Sequence, residues 1–422
     1  MTSRRRFLAA SAALALARGE TARAAARAHG RIVVVGGGYG GATAARYLRL
    51  WSGGALDVTL VERDRAFVSC PMSNLVIGGS LAMADITTGF DALAAAGVRV
   101  VHAAARGVDP AARTVALDDG RTLAYDRLVL SPGIDFQFDA IPAFADIKLR
   151  DAFPHAWRAG PQTLALRNAL VSMRAGGVFA IAIPLAPFRC PPAPYERACQ
   201  AAAYFTKANP RAKVLILDAN DDVLSKKELF KAAWQTLYPG MVEYRPNNAL
   251  TDVDPATHAA KLEFADDVKA DVLNVIPPQK AGAIADAAGV VTANGRWCEV
   301  DFLTFESIKV KGVHVLGDAI QTAPLMPKSA HMANQQAKVC AAAVVALMAG
   351  EPVDPAPVAA NTCYSFMSDT LAAHVTSVHR YDAGQKTFLP VENAGGVSSA
   401  SNALEASYGR AWAKNIRADT FG

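Results

Sequence analysis

The sequence predicts an α/β protein made of two doubly wound, Rossmann-like units and a small C-terminal interface segment. Three observations carry that expectation. Buried-strand patterns alternate with helical patterns in two successive blocks, a glycine-rich turn opens the first block, and a proline-rich connector, "EPVDPAPVAANT" at 351–362, sets off a shorter tail. The expected divisions are a leader at 1–28, a dinucleotide-binding domain in two parts at 29–155 and 280–350, a second Rossmann-like domain at 156–279, and the interface segment at 351–422. With 422 residues, 52% of them hydrophobic and 19% charged, the chain is long enough for two or three cores.

The first 28 residues read as an address rather than as fold. Arg4, Arg5 and Arg6 precede a short apolar segment from Phe7 to Ala17, and "ARA" triplets at 22–24 and 26–28 offer cleavage sites. Ser3 to Leu8 follows the twin-arginine pattern, so export of an already folded protein to the periplasm is expected, where disulfides persist. The formal charge of +5 resides in this leader, and the remainder holds 37 basic and 37 acidic residues. That balance offers no electrostatic case for nucleic acid. No apolar run beyond residue 30 approaches the roughly 18 residues of a membrane span.

The elements follow in order. "RIVVVGGGYGGATAARYLRL" is strand, glycine turn and helix; "DVTLVERD" (57–64) is a second buried strand; "RTLAYDRLVLSPG" (121–133) is a strand ending in a turn. The second block has helical patterns at 163–174, 195–208 and 226–238, with strands at 176–184, 213–218 and 271–278. A late strand, "GVHVLGDA" (312–319), precedes one long helix at 329–350 ended by Gly350. The tail "SYGRAWAKNIRADTFG" reads as mixed, without a clear amphipathic helix.

Gly36, Gly38 and Gly41 fit G-x-G-x-x-G between a strand and a helix. Gly36 permits the turn, Gly38 lets backbone approach a pyrophosphate, and Gly41 allows close packing of the helix on the strand. Glu62, 21 residues after Gly41, ends the next strand, where a carboxylate accepts a bond from a ribose hydroxyl. Gly317 and Asp318 end the late strand, and Ser131-Pro132-Gly133 ends another; together these favour FAD over NAD as the dinucleotide. The helix beginning near Lys328–Ser329 is expected to aim its positive end at the pyrimidine side of the flavin.

The second unit breaks the pattern. After its first strand comes "IPLAPFRCPPAPYERAC" (183–199), with prolines at 184, 187, 191, 192 and 194 and no glycine. Such a loop is stiff and lacks the open helix terminus a pyrophosphate needs. NADH is therefore not expected as the electron donor.

The chain resembles the sulfide:quinone reductase and flavocytochrome c branch of the FAD-dependent disulfide reductases, whose fold is a two-dinucleotide flavoprotein fold. It is most similar to the flavoprotein subunits of flavocytochrome c sulfide dehydrogenases. The resemblance covers nearly the whole chain after the leader and includes "SCPMSNLVIGG", "PFRCPPAPYERAC", "MPKSAHMANQQAKVCA", "NTCYS" and the terminal "WAKNIRADTFG". It implies that Cys190 and Cys363 form a redox-active disulfide beside the flavin, attacked by sulfide. Glu196 matches a carboxylate near that disulfide, suited to handling a proton; a first-turn glutamate favoured by the helix dipole is the other reading. Cys70 matches the cysteine that carries FAD through a thioether to the 8α carbon, against the alternative of a buried thiol. Cys199, Cys298 and Cys340 receive no role from the resemblance, and no metal site is expected.

The chain has no C-x-x-C-H, so it holds no c-type haem of its own. The resemblance implies a separate c-type cytochrome subunit as electron acceptor and partner. Two further readings stand beside this one: a sulfide:quinone reductase, and a non-catalytic flavoprotein partner of a sulfur-oxidising system. They differ in acceptor and turnover, not in fold.

Overall fold

The computed structural model describes residues 28–422. The leader expected at 1–28 lies outside them except for Ala28.

Strand β1 (Gly30–Val35) leads into helix α1 (Tyr39–Trp51) and parallel strand β2 (Leu56–Val61), in register from Gly30 opposite Leu56 to Val35 opposite Val61. β3 (Arg99–Val101) flanks β2, and β4 (Arg127–Leu130) pairs with the other side of β1. The segment at 121–133, expected as one strand, is two. Residues Thr122–Ala124 join a small antiparallel sheet, and β4 joins the main one. Between them Asp126 turns the chain by accepting a 2.7 Å bond from the Arg31 amide.

Helix α2 (Ser73–Gly78) follows the loop that carries Cys70. Helix α3 (Pro161–Ser172) then opens the second unit, continuing through β5 (Val178–Ile183), α4 (Ala193–Ala208), β6 (Lys213–Asp218), α5 (Lys227–Thr236), β7 (Val242–Arg245) and β8 (Val272–Val275). These four strands form a parallel sheet in the order β7-β6-β5-β8. Every residue of β8 is buried, the signature of a strand covered on both faces.

The chain returns to the first sheet with β9 (Val300–Asp301), β10 (Glu306–Ser307) and β11 (Val313–Val315). The completed sheet has the order β9-β10-β11-β4-β1-β2-β3. Helix α6 (Ala330–Ala349) lies against α1 and ends at Gly350, whose φ of 71° is the left-handed conformation a glycine cap supplies at little cost. An antiparallel sheet follows, with strands β12 (Val358–Phe366), β13 (Ala372–Asp382) and β14 (Thr387–Pro390).

The tail read as mixed is a 19-residue helix, α7 (Ala403–Phe421), capped by Asn402, whose side chain accepts from the Glu405 amide. Its buried face is Ala406, Gly409, Ala413, Ile416 and Thr420, at strict helical spacing. Most of that stripe is small, so it carries almost no hydropathy signal, yet small residues are what close packing requires. A Cβ on Gly409 would lie 3.1 Å from Phe366 and Tyr364. Phe421 packs on Phe67, ring centroids 4.9 Å apart, and Thr420 bonds Thr43 of α1.

Candidate functional site

The glycine turn is built as tightly as its spacing implies. A Cβ on Gly41 would sit 1.9 Å from the Gly36 carbonyl oxygen, and one on Gly36, at φ 100°, would sit 2.3 Å from the Ser131 carbonyl oxygen. Both obstacles are backbone. Gly38 is different: a Cβ there would meet nothing nearer than Phe67 at 3.9 Å, so its face is open. No side chain caps α1 and its first turn carries no acid, which leaves the terminal N–H groups to a ligand. Glu62 sits beside the turn and accepts from the Gly37 amide at 2.6 Å and the Asp64 amide at 3.0 Å.

The adjacent strand ends complete this seat. Gly317 donates its N–H to Gln336 at 2.8 Å, and a Cβ on it would lie 3.5 Å from Ser131 and Ala333. Asp318 Oδ1 is buried and has no hydrogen-bond partner among the described residues. A buried, partnerless carboxylate oxygen is costly unless a ligand hydroxyl satisfies it. The open Gly38 face, the uncapped helix and this orphaned acceptor fit a dinucleotide that runs from the glycine turn towards Asp318.

A cavity of about 70 Å³ gathers the cysteines. Cys70, Cys190, Glu196 and Cys363 all line it. Each arrives from a different element: the turn before α2, the proline loop, the first turn of α4, and β12. Tyr39 of the glycine motif bonds Ser69 at 2.8 Å, and so ties the cysteine-bearing loop to the dinucleotide turn. Arg189 spans the two regions. Its guanidinium donates to Cys70 Sγ at 3.0 Å and lies 4.0 Å from Asp318.

Cys190 is held in an unusual conformation. Its φ of 54° is left-handed for a non-glycine residue, and its N–H donates to the Lys328 carbonyl at 2.7 Å. Met72 and Lys226, next to the same cavity, are also left-handed, at φ 72° and 55°. Cys190 and Cys363 are free thiols here. Burial pushes both thiols up; for Cys363, the Lys226 charge works against that rise.

Glu196 accepts from the Phe366 amide at 2.8 Å and from Asn74 Nδ2 at 2.7 Å. Burial holds its carboxyl above the usual range in spite of those bonds. Asn74 in turn accepts from Arg197. The rest of the Arg197 guanidinium is spent on His155, Ala156 and Asn274. The sequence reading found neither Asn74 nor Arg197, since one polar residue on a short apolar helix carries no spacing signal. It missed Arg189 and Lys226 for the same reason: nothing in their neighbourhood marks them as buried.

The remaining cysteines, Cys199, Cys298 and Cys340, are wholly buried free thiols away from the cavity lining. Cys199, which shares a helix with Glu196, faces Trp234 rather than the proline loop.

The second unit keeps the strand–turn–helix plan, but the polar group at the end of its second strand is satisfied by the protein's own side chains. Asp218 ends β6, fully buried, and accepts from Tyr195 at 2.7 Å and Tyr244 at 3.1 Å. Asn220 bonds Asp218 and the Pro184 carbonyl, and accepts from the Ala186 amide. Pro192 and Pro194 occupy the start of α4 and lack N–H groups, and Glu196 places negative charge in that first turn.

A family model of the central part of the flavoprotein chain of sulfide dehydrogenase (flavocytochrome c) matches residues 163–277, and one of the flavin-binding part of flavocytochrome c sulphide dehydrogenase matches 355–421. A pyridine nucleotide-disulphide oxidoreductase model matches 30–157. The flavoprotein chain of sulfide dehydrogenase (flavocytochrome c) from Chlorobaculum thiosulfatiphilum is 59% identical over 46 residues, covering 11% of this chain and 94% of that sequence. The mitochondrial sulfide:quinone oxidoreductase of Mus musculus is 24% identical over 310 residues, covering 69% of this chain and 66% of that protein, just under two thirds of its length. The crystal structure of the sulfide:quinone oxidoreductase from Aquifex aeolicus superimposes with a TM-score of 0.77 at 18% identity, covering 92% of each chain, a likeness of fold. The chain is a member of the flavoprotein-chain family of flavocytochrome c sulfide dehydrogenase.

Proposed function

We propose that this chain is a periplasmic, FAD-dependent sulfide dehydrogenase that passes electrons to a c-type cytochrome subunit. The observation that carries the reading is the convergence of Cys190, Cys363 and Glu196 on one cavity that also holds Cys70. The filled second unit supports it, because an enzyme whose nicotinamide position is closed needs another electron entry point.

In this reading Gly36, Gly38, Gly41, Glu62, Gly317 and Asp318 hold FAD, and Cys70 tethers it covalently. When bound, FAD would supply a two-electron acceptor for the dithiol. The chain's own chemistry begins with Cys190 and Cys363 joined as a disulfide. Hydrosulfide attacks one sulfur; the S–S bond between the cysteines breaks, a new S–S bond forms as a persulfide, and the other cysteine leaves as a thiolate. The negative charge thus moves from substrate to cysteine; re-closing the Cys190–Cys363 bridge then expels the outer persulfide sulfur as zero-valent sulfur and releases one proton and two electrons, which bound FAD would accept. Glu196, whose carboxyl burial shifts upward, lies at the cavity and is the group assigned to exchange that proton. Strain at Cys190 keeps its sulfur from relaxing into the proline loop.

Anaerobic stopped-flow mixing of the purified protein with sulfide tests this. Flavin absorbance is expected to bleach in the wild type and to persist in Cys190→Ser, with the rate down on the order of a thousandfold or more. A wild-type flavin that stays oxidised would favour the non-catalytic partner reading. Membership in a flavocytochrome family supports a cytochrome acceptor, whereas the likeness to sulfide:quinone oxidoreductases favours quinone as the second reading. Reoxidation of the sulfide-reduced protein by cytochrome c or by a soluble quinone separates them.

A further inference from the structure

Lys226 is a buried cation with no matching anion. Only 7% of it is exposed, and its backbone is left-handed at φ 55° just ahead of α5. Nζ donates to the Cys363 carbonyl at 3.4 Å, its single hydrogen bond among the described residues. The charges nearest it are Cys363, Cys190 and Glu196. Glu196 is not in hydrogen-bond or ion-pair contact with Nζ among the described residues; its oxygens accept from Phe366 and Asn74 instead. An ammonium taken out of water without a paired anion is costly, and burial lowers its pKa. An anion that appears beside it during the reaction offsets that cost.

We propose that Lys226 is a positioning residue whose ammonium is the counter-ion of the thiolate released from the Cys190–Cys363 pair, and so biases that pair towards its reduced form. The inference rests on the redox-pair reading above. Reduction of the bridge consumes two electrons and one proton and leaves one thiol and one thiolate; with hydrosulfide as reductant it leaves a persulfide and a thiolate. In each case one new negative charge arises next to Nζ. The oxidised bridge is neutral and leaves the ammonium unpaired. The other charged or titratable groups around the pair do not take this part. Arg189 is committed to Cys70 and Trp157, Arg197 to Asn74, His155, Ala156 and Asn274, and His331 Nδ1 accepts from the Thr362 amide.

The experiment is a dithiol/disulfide titration of the holoprotein against dithiothreitol buffers, read by mass spectrometry of alkylated Cys190 and Cys363. It is paired with the pH profile of Cys363 alkylation. Three variants are compared with the wild type. Lys226→Met removes the charge and the donor, Lys226→Gln keeps a donor towards the Cys363 carbonyl but drops the charge, and Lys226→Arg keeps the charge. Lys226→Met and Lys226→Gln are expected to shift the equilibrium about tenfold towards disulfide, about 30 mV for a two-electron couple, and to move Cys363 alkylation to higher pH. Lys226→Arg is expected to stay within about twofold of wild type. If Lys226→Gln matches wild type in both readouts, Lys226 only ties β12 to α5 and the proposal is overturned while the redox pair stands. If the wild type forms no Cys190–Cys363 bridge on oxidation, the redox-pair reading falls and takes this inference with it.

Discussion

The two parallel-sheet units share a plan and treat the end of their first strand in opposite ways. In the first, β1 gives way to a turn in which backbone touches backbone. The closest contacts would be Cβ atoms that Gly36 and Gly41 do not have, and the Gly38 face stays open. In the second, nine residues with four prolines separate β5 from α4, and Tyr195, Asn220 and Tyr244 converge on Asp218. Among the described residues, the first unit leaves Asp318 Oδ1 and the uncapped start of α1 without protein side-chain partners; the second satisfies Asp218 internally. A loop without glycines brings its own polar pairing with it. The polar residue at the strand end still has to be paired once it is buried, and here the protein's own hydroxyls and amide do that.

The steepest way to break the contrast is to crowd the open turn. Gly41→Ala puts a methyl against the Gly36 carbonyl, which cannot yield without moving β1. We expect loss of most bound flavin, read from the 450 nm absorbance per chain, and a stability loss of roughly 3 kcal/mol. Retention of full flavin occupancy would show that the turn does not hold the dinucleotide.

The complementary change empties the closed site. Asp218→Ala strands the buried Tyr195 hydroxyl, the half-buried Tyr244 hydroxyl and an asparagine amide, at an expected cost of about 2 kcal/mol in urea unfolding. Flavin content is expected to stay at the wild-type level, and no NADH affinity is expected by fluorescence titration, because the prolines remain. NADH binding in this variant would mean that Asp218 alone closes the site.

Acid sharpens the comparison with a smaller effect. His314 lies buried on β11 of the first sheet, its Nδ1 bonded to the Thr304 carbonyl and its Nε2 3.2 Å from Arg127. Burial and the Arg127 charge hold its pKa down to about 4 against an ordinary 6.5. The native state therefore keeps it neutral while the unfolded chain takes up a proton, so its contribution is whole above pH 6.5 and is lost as pH falls towards 4. The slope is at most about 1.4 kcal/mol per pH unit. Asp218 in the second sheet runs the other way. Burial raises its carboxyl, so stability from that group rises as pH falls through the raised value towards 3.8. We expect urea midpoints of His314→Asn to fall less than wild type between pH 7 and pH 5. Equal slopes would place the acid sensitivity elsewhere.

Much of this was legible in the sequence because the signals are local. The glycine spacing at 36–41, the apolar runs of β1 and β2, and the proline loop around Cys190 each depend on residues within a few positions of one another, and backbone sterics read them directly. Helix α7 was not legible, because its buried stripe is mostly alanine, glycine and threonine, with Ile416 its one large aliphatic residue, and the fitness of small residues shows only against the side chains they meet. The split at 122–130 was hidden for a related reason: it depends on Asp126 reaching Arg31, 95 residues away.

Chemistry divides in the same way. By itself the sequence determined a dinucleotide turn that only glycine can build, a second unit that cannot repeat it, and a cysteine fixed among prolines. Only the tertiary structure decided that Cys70, Cys190, Glu196 and Cys363 share one cavity, that Asn74 couples Glu196 to Arg197, and that a lysine 36 residues beyond Cys190 is buried beside the pair. The physical reason is distance. Sterics and hydropathy act between neighbours in the chain, whereas the cost of burying a charge depends on what long-range folding places around it.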